Sequence, residues 1–184
     1  MNNDFTIVNP HINGDYTVSV AKDKEAAEVM SLLVDTAKWL QSKGSDQWSG
    51  LLHGYDSHDT VGSIKQEEVF VCKHDKEIVG VVILKRQPSA WDSELWGSKA
   101  HTDDEAIYLH RLTISRKHAN SGLGAALLHW CDSAISFKDK KVMRLDCIAS
   151  NPKLFAFYEG NGYEYIGQEG DFKLFQKNLL TPQK

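Results

Sequence analysis

Residues 108–126, YLHRLTISRKHANSGLGAA, carry the side chains best suited to chemistry: His110, then Arg116, Lys117 and His118, ahead of Gly122 and Gly124. The pattern reads as a β-strand, a short basic loop, and a helix behind the glycines. Such a junction is a ready anion site. The first N–H groups of a helix lack internal partners, and the helix dipole adds partial positive charge there. Glycine lets this backbone approach a phosphate with no Cβ in the way. A phosphate-bearing ligand is therefore expected. Two well-known phosphate loops do not fit. A P-loop needs Lys and then Ser or Thr after its last glycine. The dinucleotide fingerprint needs a small residue three positions after Gly124, where Leu127 stands. A plain glycine turn capping a helix stays open on this loop alone.

The segment after the next strand adds a second pattern. Residues 150–167 read SNPKLFAFYEGNGYEYIG. Together the two segments resemble the GNAT superfamily of acetyl-CoA-dependent N-acetyltransferases. That family's core is a strand, a loop of the form Arg/Gln-Gly-x-Gly-x-Gly/Ala, and a helix; Gly122-Leu123-Gly124 matches the second half of the loop. A following strand, an Asn, a short helix ending in Phe-Tyr and then Gly-Phe/Tyr are matched by Asn151, Phe157-Tyr158 and Gly162-Tyr163. The chain departs from the pattern at the loop's opening, where Ala119 and Asn120 stand in place of Arg or Gln and then Gly. Backbone N–H groups do most of the phosphate binding in such a cradle, and Arg116, Lys117 or His118 are candidates to replace the lost side chain.

The resemblance implies an α/β (α+β) fold with a mixed, mostly antiparallel central sheet flanked by helices. It implies acetyl-CoA as co-substrate and no metal. Carried over, Leu112, Thr113 and Ile114 hydrogen-bond the pantetheine arm. The pyrophosphate sits on the amides of Asn120, Ser121, Gly122, Leu123, Gly124 and Ala125, with Lys117 beside them. Asn151, Phe157 and Tyr158 flank the arm, and Tyr158 is the general acid that protonates the departing thiolate. Without the family, a lone Tyr on a short helix reads as a packing residue. The reaction would be direct attack by an amine, with no acyl-enzyme. An alkylammonium has a pKa near ~10.4, so freeing the amine at neutral pH costs roughly 4–5 kcal/mol and calls for a base. Glu105, His110 and Asp146 are the candidates, His110 because an imidazole titrates near neutrality. WLQSKGSDQW, residues 39–48, resembles a pattern of small bacterial members, whose first helix and loop wall the acceptor site. Trp39, Trp48 and His110 are thus expected at the acceptor, with Trp91 or Trp96 as further candidates, and a cation can rest on such ring faces. The alternative is a CoA-binding regulatory protein that has lost transfer.

The elements that must position these residues follow from periodicity and punctuation. Strands are expected at 16–21, 68–73, 77–86, 106–115 and 142–148, and a final hairpin at 163–178. Helices are expected at 23–43, with Asp23 as N-cap and Gly44 as stop, at 59–67, at 122–138 and at 151–161. Residues 45–55 read as a loop, 1–15 as an N-terminal extension, and 87–104 as a polar insertion, a candidate lid. At 184 residues the chain is read as one domain, 1–184. A net charge of −4 without a basic run argues against a nucleic-acid surface, and no run is apolar enough for a membrane span. Cys72, Cys131 and Cys147 fit no disulfide or zinc spacing, and with no secretory leader they point to reduced thiols in a cytoplasmic protein. His53 and His58 in HGYDSH lack the further ligands of a metal site. The expected partner is a small-molecule amine, and a homodimer is common in the family.

Overall fold

The computed structural model describes residues 4–101 and 104–180. Residues 1–3 of the expected extension, 102 and 103 of the insertion, and 181–184 of the single-domain reading lie outside the described residues. In chain order the elements are β1 (Phe5–Ile7), β2 (His11–Ile12), β3 (Tyr16–Val20), α1 (Ala26–Ser42), α2 (Thr60–Lys65), β4 (Val69–His74), β5 (Glu77–Lys85), α3 (Ala90–Trp96), β6 (Ala106–Ile114), α4 (Leu123–Ser133), β7 (Ile135–Phe137), β8 (Val142–Ile148), α5 (Pro152–Gly160), β9 (Glu164–Glu169) and β10 (Phe172–Asn178). By internal contacts the chain divides into two compact units, Met1–Asn9 with Lys85–Leu109 and Leu128–Lys184, and Pro10–Leu84 with His110–Leu127.

In the second of these units β2, β3, β4 and β5 form antiparallel pairs in that order. The helix α1 buries Val29, Leu33 and Ala37 against Val69, Val71, Val81 and Ile83. Val29, Leu33 and Ala37 stand four residues apart and so share one face of the helix. Each such side chain contributes roughly 1.5–3 kcal/mol of apolar burial. Gly44, at φ +79°, ends the helix as expected. Its start differs. Residues 23–25 form a 3₁₀ turn, and the Lys22 N–H donates to the Glu25 carboxylate at 2.8 Å, so Asp23 is not the cap. Asp59 does cap α2, accepting from the Gly62 N–H at 3.2 Å. The expected loop at 45–55 contains a 3₁₀ turn, Ser49–His53.

In the first unit β8 lies between β6, to which it is parallel over Ala106–Tyr108, and β10, to which it and β9 are antiparallel. The 87–104 segment is not a plain polar insertion. It holds α3, with a capping box: the Ser89 hydroxyl accepts from the Asp92 N–H at 3.2 Å, and Asp92 accepts from the Ser89 N–H at 2.8 Å. Leu95 and Trp96 enter the core with Ala106, Tyr108 and Leu174, so this helix packs as part of the unit. The helix expected over 122–138 stops at Ser133, and Ile135–Phe137 pairs antiparallel with Phe5–Ile7 as β7 with β1. Both units are thus mixed or antiparallel β with packed helices, the expected fold class.

Candidate active site

In the second unit the strand β6 breaks its own geometry at Arg111, whose φ is +57°. A non-glycine residue in this region of backbone space interrupts a ladder as a bulge does. His110 and Arg111 close a run of the strand that is buried continuously from Ala106. The Thr113 hydroxyl donates to the Arg111 carbonyl at 3.0 Å and holds the distortion. Leu112 and Ile114 are half-buried, while Thr113 is buried. Gly80 on β5 closes against this strand. A Cβ there would meet Ile114 Cδ1 at 2.9 Å, Cys72 Cβ at 3.1 Å and the Thr113 carbonyl at 3.2 Å. A glycine inside a strand marks this kind of close approach.

The loop after β6 tests whether these residues suit a pyrophosphate. Ala119 has φ −66°, Asn120 +58° and Gly122 +79°. Ala119 is extended, with ψ 155°, and the backbone turns left-handed at Asn120 and again at Gly122. Asn tolerates the left-handed backbone found at position 120 better than most residues. A Cβ at Gly122 would meet nothing within 4 Å, so the space over the turn is open. The residues present fit a phosphate-bearing ligand. The Ser121 hydroxyl donates to the His118 carbonyl at 2.5 Å. His118 is hydrogen-bonded through Nδ1 to the Tyr16 hydroxyl at 3.0 Å, which ties the loop to β3. Lys117 is exposed, with Glu77 at 3.6 Å.

Trp39 and Trp48, expected at the acceptor, each lie beside an arginine. The Arg116 guanidinium lies 3.9 Å from the Trp39 ring centroid, and that of Arg111 lies 4.8 Å from the Trp48 ring. One face of each indole is thus occupied by the protein's own cation. His110 stacks on His58, with ring centroids 4.2 Å apart and planes 26° apart. Arg111 pairs with Asp56 at 3.2 Å. Burial would raise the Asp56 carboxyl, but hydrogen bonds from Thr60, the His58 N–H and the charge of Arg111 outweigh it and hold the carboxyl below its ordinary value. Arg111, Asp56 and His58 were not expected at the site. A signal for the first was legible: an arginine amid the apolar run of β6 must find a buried partner.

In the first unit Tyr158 sits near the end of α5. Its ring packs among Phe157, Tyr163 and Phe175. Burial, then negative charge at Cys147 and Asp146, raises its phenol well above the ordinary tyrosine value. Asn151 is the N-cap of α5, its side-chain carbonyl accepting from the N–H groups of Lys153 at 3.1 Å and Leu154 at 3.3 Å, with Pro152 at the first helical position. The Asp146 carboxylate accepts from the Trp91 indole N–H at 3.2 Å. Trp96 is buried under Arg144, whose guanidinium lies 4.8 Å from its ring. Glu105 is exposed at the start of the strand and paired with Lys141 at 2.5 Å.

A profile of the acetyltransferase (GNAT) domain matches residues 65–165. The chain is 45% identical over 178 residues to the uncharacterized N-acetyltransferase YesJ of Bacillus subtilis (strain 168), covering 96% of this chain and 98% of that one. Among solved structures, a GNAT-family acetyltransferase of Listeria monocytogenes 4b F2365 superposes with a TM-score of 0.74 at 32% identity, covering 92% of this chain and 98% of that one. The PaiA N-acetyltransferase of Thermoplasma acidophilum, solved in complex with coenzyme A, shares the fold with a TM-score of 0.64 at 15% identity, over 89% of this chain and 98% of that one.

Proposed function

Because the chain belongs to the GNAT acetyltransferase family and is an acyltransferase, we propose that it moves an acetyl group from acetyl-CoA to the primary amine of a small molecule, with donor and amine bound together. The observation that carries this reading is the left-handed turn at Asn120 and Gly122, with open space over Gly122, between β6 and α4.

Acetyl-CoA brings an acetyl group activated as a thioester. The N–H groups of residues 120–125 would hold its pyrophosphate, with Lys117 adding charge. Leu112, Thr113 and Ile114 would offer backbone groups to the pantetheine arm beyond the break at Arg111, with Phe157 beside it. Asn151 spends its carbonyl oxygen on the helix cap, which leaves its amide NH₂ to donate to the arm. His110 is the base in this reading: a neutral imidazole can take the ammonium proton and free the amine. Glu105 is less suited, because Lys141 holds its carboxylate. Tyr158 keeps its proton across the working range and can give it to the departing sulfur. Trp39 and Trp48 shape the acceptor side rather than binding a cation on the faces that the arginines cover. The relative's name as an N-acetyltransferase supports an amine acceptor. Among the described residues no helix is long and apolar enough to cross a membrane, and the three cysteines are buried and unpaired, which supports a reducing, cytoplasmic setting.

A thermal-shift titration with acetyl-CoA, CoA, ATP and NAD tests the ligand. At 100 times its dissociation constant a ligand of the folded state stabilises it by about 2.7 kcal/mol. A shift confined to the CoA species, followed by thiol release on a panel of amines, is expected. No shift with either CoA species would overturn the reading.

A further inference from the structure

Arg111 is a charged residue in the middle of an apolar strand, its side chain only 3% exposed. A lone buried guanidinium would cost several kcal/mol, so its partners matter. All of them come from one segment. Its Nη2 donates to Asp56 at 3.2 Å and to the Ser57 hydroxyl at 3.4 Å, and the Trp48 ring lies 4.8 Å from its central carbon. This segment is itself strained, with Trp48 at φ +64° and Asp59 at φ +45°. Such backbone costs on the order of 1–3 kcal/mol per residue and persists only where its surroundings impose it. Asp56 passes the constraint on. Its carboxylate accepts from the Thr60 N–H at 2.7 Å and the His58 N–H at 3.2 Å. The His58 ring then stacks on His110, the neighbour of Arg111 in the strand. The chain of contacts closes on itself: Arg111, Asp56, His58, His110.

We propose that Arg111 and Asp56 are positioning residues for the acceptor amine, their ion pair locking residues 48–59 onto β6 and so fixing Trp48 and the His58–His110 ring pair. The proposal rests on the acetyl-transfer reading with His110 at the acceptor. It gives a setting for the positive φ at Arg111, the residue through which β6 holds Asp56. One guanidinium nitrogen, Nη2, reaches both Asp56 and Ser57 while the guanidinium carbon lies over the Trp48 ring, so a single side chain ties three residues of the segment to β6.

The test compares wild type with Asp56→Asn, Arg111→Lys, Arg111→Met and the Asp56→Asn/Arg111→Met double variant. The acceptor is the fastest one from a panel of short monoamines, diamines, amino acids and a lysine-containing peptide. Each single variant should lose about ten- to hundredfold in kcat/KM for that amine, mostly through KM, as misplacement of a substrate-positioning element does. The dissociation constant for acetyl-CoA should stay within about threefold. The double variant should be no worse than the poorer single one, because both remove the same contact. Hydrogen exchange of Asp56→Asn should be faster across 48–59 and unchanged in β9 and β10. If Arg111→Met does not fold, Asp56→Asn and Arg111→Lys still decide. An unchanged amine KM with unchanged exchange overturns the proposal, and so does a loss of acetyl-CoA affinity as large as the loss for the amine. Wild-type protein that neither binds acetyl-CoA nor releases thiol would instead overturn the acetyl-transfer reading, and with it the role at the acceptor.

Discussion

Replacing Tyr158 by Phe removes one oxygen and little else. The ring packs against Phe157, Tyr163 and Phe175, and Phe keeps those contacts. The residue is 8% exposed, and its hydroxyl makes no hydrogen bond among the described residues. The hydroxyl is not one of the fully buried polar atoms left without a partner, so its loss should leave the melting temperature nearly unchanged. The effect on transfer should be large. A positioned acid contributes about 10²–10⁴-fold, which at 1.36 kcal/mol per tenfold is about 2.7–5.4 kcal/mol of barrier. The proton is needed only as the sulfur departs, so kcat and kcat/KM should fall together, with KM for acetyl-CoA nearly constant. Thiol release under saturating acetyl-CoA measures this directly. Because the phenol is held above its ordinary value, activity in wild type should show no decline near pH 10 from deprotonation of this group. A fall in kcat of less than tenfold would refute the role, as would a fall matched by lost acetyl-CoA affinity or lost stability.

Other expectations can be read from single contacts. Asn151→Asp keeps a good N-cap but loses the amide donor, so acetyl-CoA affinity should drop with stability held; Asn151→Ala should also lose about 1 kcal/mol in urea unfolding, and equal affinity in Asn151→Asp and wild type would remove the contact with the arm. Gly80→Ala drives a methyl into the Thr113 carbonyl and Ile114, so it should destabilise by about 1–3 kcal/mol and weaken acetyl-CoA binding through β6; a wild-type urea midpoint would show that the strands yield freely. Stability should also fall in alkali. Burial raises the phenols of Tyr108, Tyr158 and Tyr163, and pushes the Cys72 and Cys147 thiols up to about 11. Groups whose folded pKa is raised stabilise fully below the unfolded value and lose that contribution as pH rises through the folded one, so the loss begins near pH ~8.5 for the thiols and ~10 for the phenols. A urea midpoint constant from pH 8 to 10.5 would contradict this.

Local pattern was enough for most elements. Apolar periodicity, Gly44, Asp59 and the 74–76 turn each act within a few residues of the structure they specify. The strand, glycine loop and helix of the anion site were legible for the same reason, and so was the Asn-then-Phe-Tyr order around α5. Boundaries set by packing were not. Ile135–Phe137 leaves its helix because Phe5–Ile7, more than a hundred residues away, offers it a strand partner. The role of α3 as core followed from where Leu95 and Trp96 could be buried, although its Ser89–Asp92 cap was in plain view.

Residue types by themselves determined what chemistry the chain can offer: a glycine-containing loop for phosphate, an imidazole and a phenol. Tertiary structure alone decided how those groups are held. It gave Asn120 the left-handed backbone that its type only permits. It set Arg111 out of register and gave it Asp56, Ser57 and Trp48, residues more than fifty positions away in sequence. It laid Arg116 over Trp39 and stacked His58 on His110. A side chain's type sets its charge and hydrogen-bonding capacity in any fold. Its partner, exposure and protonation depend on which distant segment the folded chain brings beside it.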